Sequence, residues 1–525
     1  MKSPLQILIL CIILMATACY KDKGNYDIIE YSKINNITHP TVPPVILGDS
    51  LKLKPAFSWE HPERDTTGNA FEFEWRQLDS VVSRERNLGY VPDITGYVMI
   101  YLHVKEKATG IVTRFSIQVQ VISSYKAGWM LLTKDQGKSV ISFVRRDAKR
   151  DNNNQLYYEY KYFPDVYNQL HPDAPLGNNP VKFASKAFPD YTADEVLLLQ
   201  GNATTYLNGS DLSKVIELRN EFNGNAFPNN AVPVDYVDGG PVNFTLLSDG
   251  NVYWKRNSVT MGGIHQGKFM DVPVYFEGGG AHISKIIDVS IDYTYFLYLY
   301  DDLHKRFLGL FTTTGDDSFL GGKLYLANGS TPPAGFVDLN NQAGYALIYC
   351  SDYANGAYFM NIIKNETSGQ YLLQNYRLTR RGTVLEANEH QQEAFAGNGI
   401  VTDNTIYHRI RNSSYLFFGE GSKLYFYDVN TKQVKLYHDF GNGVIKAITT
   451  DAPGGELGVA LSNGVFSICS LKTEILGSAN PAPPASCSHS NRWEISWTSV
   501  GNGALTMNTF SEDIRDPFTK KLNTR

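Results

Sequence analysis

Cysteine is scarce in this sequence, with five in 525 residues, at positions 11, 19, 350, 469 and 487. So few thiols exclude the disulfide-stapled frameworks of small secreted domains, and the chain must be held together by its cores. Charge is thin as well, at 19% of residues, and the longest basic cluster, Arg145 and Arg146 with Lys149 and Arg150, is broken by Asp147 and Asp151. It reads as a solvated loop. Phosphate binding depends on clustered cations, so nucleic acid is not expected as a partner. The eleven histidines are scattered, with no pair at the spacing of a zinc helix and no glutamate between two of them, and no serine sits in a glycine-flanked elbow. No metal, cofactor or catalytic residue is therefore expected, and the chain reads as a binding protein rather than an enzyme. No apolar run reaches the roughly 17 to 25 residues that cross a bilayer as a helix.

What is present begins at the N-terminus. Lys2 precedes an apolar run from Leu5 to Ala18, interrupted only by Gln6 and Thr17, and the small residues Ala16, Thr17 and Ala18 lead into Cys19. This is the pattern of a bacterial lipoprotein signal: residues 1–18 are removed and Cys19 carries the lipid. An uncleaved anchor or buried helix is the alternative, since Ala16 stands where leucine is commoner. Cleavage takes away Lys2 and leaves 47 basic against 53 acidic residues, a formal charge of −6. Residues 19–27 are polar and aperiodic, and form a tether.

The composition beyond the tether, with 13% aromatics and 33 tyrosines, favours sheet and turn over helix. Leu51 and Leu53 alternate with Lys52 and Lys54, and Phe71, Phe73 and Trp75 alternate with Glu72, Glu74 and Arg76, each as in a half-buried strand. Tyr97 to Val104 and Ile111 to Ile122 form a hairpin across Lys107 to Gly110. Residues 28–123 thus predict an immunoglobulin-like sandwich with Trp75 at its centre. From Ser123 to Lys126 the pattern changes. Strand pairs starting near Trp129, Val196, Phe244, Tyr295, Tyr345, Tyr415 and Leu457 recur at intervals of 42 to 70 residues. Asp249-Gly250, Asn463-Gly464, Asn430-Thr431 and Thr367-Ser368-Gly369 mark their turns. About seven such units over residues 124–510 predict a β-propeller, in which face-to-face stacking buries what one sheet cannot. Trp493 to Trp497 is a candidate closing strand, and residues 511–525 read as a charged tail. The fold class is all-β.

The run Cys19, Tyr20, Lys21, Asp22, Lys23, Gly24, Asn25, Tyr26, Asp27 resembles the mature start of the PKD-like family of surface lipoproteins from Bacteroidetes-type bacteria. Phe73-Glu74-Trp75, then Tyr101 to Glu106 with Thr109-Gly110, resembles the PKD-like module of the same family. The lysine and aspartate after Cys19 also resemble the export signal to the outer face of the outer membrane. The resemblance implies a lipid-anchored protein on the cell exterior and a PKD-like spacer. It further implies a role in nutrient uptake beside starch-utilisation-type importers, each a TonB-dependent barrel with its lipoprotein lid. The implied task is to capture a peptide or glycan or to complete that assembly.

Candidate binding residues lie between Ala148 and Asp190, a stretch that interrupts the regular pairs. In a strand, Leu156, Tyr158, Tyr160 and Tyr162 share one face and Tyr157, Glu159, Lys161 and Phe163 the other. A tyrosine row, with Tyr157 and Tyr167 beside it, stacks on sugar faces or cradles peptide side chains; the same alternation also suits a strand packed between neighbours. Glu386 to Asn412, the second long interval, reads as a surface excursion. The doublets Asp301-Asp302 and Asp316-Asp317 have the chemistry of paired glycosidase acids or of oxygen ligands, but their turn surroundings suit solvated loop acids. Asp65-Thr66-Thr67 resembles an O-glycosylation sequon of this bacterial group. Cys469 and Cys487 either pair or stay as buried thiols. A purely structural or adhesive protein, and a propeller glycosidase or lyase, are the alternative functions.

Overall fold

The computed structural model describes residues 33–471 apart from 63–66, 68, 95, 123, 126–127, 152, 154–155, 187–194, 210, 239–241, 257–266, 288–295, 312–321, 354–357, 382–383, 411–412 and 451–454, together with 493–494 and 506–510. Cys19 and the signal, the tether, Asp65-Thr66, Asp316-Asp317, Cys487 and the 511–525 tail lie outside the described residues. The protein is all-β. Its only regular helices among the described residues are one five-residue α-helix, Val166–Leu170, and two 3-10 turns. Contacts divide the chain into two compact units, Met1–Val121 and Ile122–Arg525.

In the first unit Phe71–Gln77 pairs on one side with Gly96–Glu106 and on the other with Ser80–Ser83. Val112–Ile122 and Val45–Ile46 complete that five-stranded sheet. Two further strand pairs, Ile34–Thr38 with Ala56–Trp59 and Leu51–Leu53 with Leu88–Tyr90, supply the rest of the sheet structure. The period of two does the folding: Phe71, Phe73 and Trp75 point into one core with Leu51, Leu53, Ile100 and Val119. Trp75 is wholly buried, and its indole N–H donates to the Glu85 carbonyl at 3.0 Å, so the ring is buried with its polar atom satisfied. The hairpin turns at Gly110, whose φ of +72° only glycine adopts freely.

The second unit is a run of sheets taken in chain order. The first joins Gly128–Asp135, Lys138–Arg150 and Leu156–Phe163; the second joins Pro180–Lys186, Glu195–Gln200, Thr205–Asn208 and Lys214–Glu217. Pro233–Asp238, Val242–Leu247 and Val252–Arg256 make the third, and Ile283–Ile287, Phe296–Asp301 and Arg306–Phe311 the fourth. Tyr345–Tyr353, Tyr358–Asn365, Tyr371–Arg381 and Val384–Ala394 make the fifth, with Ala327–Gly329 added in parallel at its edge. The sixth holds Ile406–Arg409, Tyr415–Glu420, Lys423–Asp428 and Gln433–Asp439, and the seventh Ile445–Thr450, Glu456–Leu461, Val465–Ser470 and Trp493–Glu494. Each expected pair start lies in or beside a strand of a different sheet.

Central strands of these sheets are buried on both faces, which is why Phe296 to Tyr300 reads as a continuous run of large apolar and aromatic residues rather than an alternation. Successive residues then serve different cores: Leu198 packs between the first and second sheets, Leu197 and Leu199 between the second and third. The cores continue in order, from the third and fourth sheets through the fifth and sixth to the seventh. A last core brings Trp129, Leu131 and Val144 of the first sheet against Ala447, Ala460, Phe466 and Ile468 of the seventh.

Several expectations are corrected here. Trp493–Glu494 pairs with Val465 and Phe466 as an outer strand of the seventh sheet, whereas Thr506–Phe510 pairs with Gly128 to Leu132 and adds a C-terminal strand to the first. Gly128 starts that strand where an added Cβ would lie 2.1 Å from the Val144 carbonyl oxygen, so no larger residue fits. Arg145, Arg146, Lys149 and Arg150 belong to the strand Lys138–Arg150 and not to a loop. Residues 148–190 and 386–412 are not excursions either. The first stretch supplies the outer strand of the first sheet and begins the second, and the other contributes to the fifth sheet and begins the sixth.

Candidate functional site

Leu156–Phe163 is the outer strand of the first sheet, paired only with Lys138–Arg150, in the register Tyr162 to Val144, Tyr160 to Arg146 and Tyr157 to Lys149. Tyr160 and Tyr162 are half-buried against the core shared with the seventh sheet. Burial pushes the Tyr162 phenol above its ordinary pKa, and its hydroxyl lies 3.4 Å from Ser142 Oγ. Tyr158 is 38% exposed and carries the Arg146 guanidinium 4.6 Å over its ring. Arg146 Nη1 lies 3.3 Å from Glu456 Oε2 of the seventh sheet, while the Tyr160 hydroxyl donates to Oε1 of the same carboxylate. With the Arg146 and Glu456 side chains only 9% and 15% exposed, this is a largely desolvated, hydrogen-bonded pair.

The opposite face carries Tyr157, 44% exposed, then Glu159, Lys161 and Phe163, with Lys161 and Arg145 placed 5.2 and 5.6 Å from the Phe163 ring centre. Arg145 pairs with Asp147 at 2.9 Å. Because neighbouring residues of a strand point to opposite faces, the two exposed rings straddle the sheet edge and do not form one flat row. Tyr167 is a further departure from expectation. It is wholly buried between the first and second sheets, with its hydroxyl donating to the Ala174 carbonyl at 2.7 Å and its pKa raised by burial. It is core and offers no surface to a ligand. The arrangement at the edge can stack apolar faces of a ligand on Tyr157 and Tyr158 while their hydroxyls stay hydrated; it contains no activated nucleophile.

Asp301, expected as a solvated loop acid, is wholly buried at the end of its strand. It accepts from the His282 and His304 backbone N–H groups at 3.2 and 3.3 Å and from Arg306 Nε at 2.9 Å, with His304 Nδ1 at 2.8 Å. Burial raises its pKa, but these bonds outweigh burial and hold it below the ordinary aspartate value. A carboxylate so fully engaged is a structural anchor. Asp302 stays exposed, 2.7 Å from His282 Nδ1. Among the described residues no group of three or more His, Cys, Asp or Glu could hold a metal ion, and no helix is long and apolar enough to cross a membrane. Cys350 is a buried free thiol whose pKa burial drives upward, and Cys469 is disulfide-bonded.

Two buried ion pairs escaped the reading of the sequence. Lys255 Nζ lies 2.7 Å from Glu221 Oε1 between the third and second sheets, and Arg409 Nη2 2.8 Å from Asp352 Oδ1 between the sixth and fifth. Lys255 and Asp352 each stand one residue from the end of a strand, Arg409 ends the strand Ile406–Arg409, and Glu221 ends the 3-10 turn Leu218–Glu221.

Two solved structures align with most of the chain at low similarity. A quinonprotein alcohol dehydrogenase-like protein from Bacteroides thetaiotaomicron VPI-5482 shares 12% identity over 84% of this chain and 94% of its own, with a TM-score of 0.37. A dihydro-heme d1 dehydrogenase in complex with DHE also shares 12% identity, over 84% of this chain and 81% of its own, with a TM-score of 0.36. Likeness this distant carries no argument about activity. No curated protein matches the chain. The model of the PKD-like family matches residues 19–180, a span that takes in all of the first unit's described strands and the whole of the tyrosine-bearing strand.

Proposed function

We propose that this chain is a lipid-anchored protein of the outer membrane, facing the cell exterior, that binds a peptide or glycan without consuming it. Cys19 carries the lipid, residues 20–27 are the tether, and the PKD-like first unit is a spacer with an immunoglobulin-like sandwich fold. The second unit is a seven-bladed propeller. That reading is supported by cores that join consecutive sheets and join the seventh to the first. The ligand seat is the outer strand of the first sheet, and the observation that carries it is the pair of exposed rings, Tyr157 and Tyr158, the second braced by the Arg146–Glu456 pair. The partner implied by the family resemblance is a TonB-dependent barrel with its lipoprotein lid.

The test is to offer the mature protein a panel of polysaccharides and peptides, reading retention and product release together. Retention without products is expected, and Tyr157→Ala and Tyr158→Ala each weaken it about tenfold, roughly 1.4 kcal/mol, with little change in Tm. Product release, or retention indifferent to both substitutions, contradicts the proposal. Mass spectrometry of the mature N-terminal peptide checks the anchor, which an unmodified Cys19 would rule out.

A further inference from the structure

We infer that a carboxylate-selective subsite lies between the second and third sheets, built from Arg219, Phe227 and Asn202. Resting on the reading of the chain as a binding protein, this assigns its ligand an acidic group: a uronic acid of a glycan or the C-terminal carboxylate of a peptide.

The backbone shapes the place. Strand Glu195–Gln200 turns into Thr205–Asn208 through residues 201–204, and the chain leaves the second sheet by the 3-10 turn Leu218–Glu221 and enters the third at Pro233. Residues 200–204 and 231–233, with Arg219 and Phe227, line a shallow, open depression at the surface. Ala203 holds a φ of +53°, a conformation a non-glycine residue rarely adopts, and its carbonyl is fixed by Gln200 Nε2 at 2.7 Å and Thr205 Oγ1 at 2.5 Å.

Hydrogen-bond accounting gives the depression its sign. Several acceptors of the 200–204 turn are already engaged: the Gln200 carbonyl by Thr204 Oγ1 at 3.1 Å, Gln200 Oε1 by Ser139 Oγ at 2.8 Å, the Thr204 carbonyl by the Leu218 N–H at 2.9 Å, and the Ala203 carbonyl twice. Asn202, which also lines the depression, accepts at Oδ1 from the Asn178 backbone N–H at 2.6 Å, so the polar atoms it has left are its two N–H donors. Arg219 lies with its guanidinium 5.5 Å over the Phe227 ring, itself packed edge-on against Phe222 at 5.0 Å. The one carboxylate in ion-pair range of Arg219, among the described residues, is the exposed Glu217, 3.8 Å from Nε. The Nη donors therefore stay open. Planar guanidinium donors stacked on an aromatic ring match the fork of a carboxylate, which would compete with Glu217 for Arg219, and the ring below supplies an apolar face for the carbon skeleton.

Calorimetry on the mature protein tests this with galacturonic acid against galactose and a short peptide with a free C-terminus against its amidated form. At least one acid is expected to bind about tenfold or more tighter than its neutral counterpart, less so at high salt, and Arg219→Ala and Arg219→Lys should abolish the preference while Tm holds. Preference for galacturonic acid alone names a glycan ligand, and preference for the free peptide alone a peptide one. Acid preference that survives Arg219→Ala, or no acid preference at all, overturns the subsite. Retention of a neutral polysaccharide through Tyr157 and Tyr158 would in that case leave the binding reading standing.

Discussion

The fourth and fifth sheets meet across a large cluster of rings, whereas the seventh and first meet across a smaller apolar cluster and a charge pair. In the former, Phe296, Tyr298 and Phe307 pack on Phe359 and Tyr376, with Tyr298 stacked on Phe307 at 4.9 Å and Tyr376 placing its hydroxyl 3.0 Å from Asn361 Oδ1. In the latter, Trp129 and Phe466, 5.7 Å apart, pack with Leu131, Val144, Ile468 and the small Ala447 and Ala460, and the Arg146–Glu456–Tyr160 cluster stands beside them. A contact poor in apolar area draws on charge-assisted hydrogen bonds for geometry, and the price is a desolvated carboxylate that depends on its partners. The same cluster braces Tyr158, so the thin contact is also where the exposed rings are held.

The largest expected effect lies on the ring-filled side. Phe359→Ala should cost about 3 to 5 kcal/mol by opening a cavity that packed neighbours cannot close, read as a fall in the denaturant midpoint. A loss below about 1 kcal/mol would mean that this core is loosely packed. On the charged side, Glu456→Gln should cost about 1 to 3 kcal/mol by removing the charge that pairs with Arg146 and one of the two oxygens that Arg146 and Tyr160 share, and Tyr160→Phe less than Glu456→Gln. If both leave stability unchanged, the polar cluster is incidental. Smaller still is a pH effect on the fourth sheet. Asp301 is held below its ordinary pKa, so its bonds contribute stability above the unfolded value and lose it as pH falls through the folded one. Acid titration of stability should be shallower in Asp301→Asn than in the natural chain; equal slopes would contradict the role given to Asp301.

Local chemistry made much of this legible in the sequence. Asp249-Gly250 and Asn463-Gly464 turn hairpins because Gly250 and Gly464, at φ of +81° and +80°, supply the left-handed residue such turns require. Phe71, Phe73 and Trp75 announced their core by alternation. What escaped depended on distant partners. Nothing near Thr506–Phe510 says that it pairs with Gly128 to Leu132, and nothing near Arg146 says that Glu456 waits across the contact. The tyrosine row was correctly spaced for a strand, yet spacing alone does not tell which face the seventh sheet covers. Tyr167 was misjudged because the short helix Val166–Leu170 turns it inward after the left-handed Asp165.

Closure of the second unit between its seventh and first sheets is tested most directly by amide hydrogen exchange on the full mature chain. Peptides covering Gly128 to Leu132 should be protected as strongly as those covering Val242–Leu247, and deleting residues 506–525 should release the first set while sparing the second. Rapid exchange of Gly128 to Leu132 in the full chain, or protection indifferent to the deletion, would contradict the pairing with Thr506–Phe510.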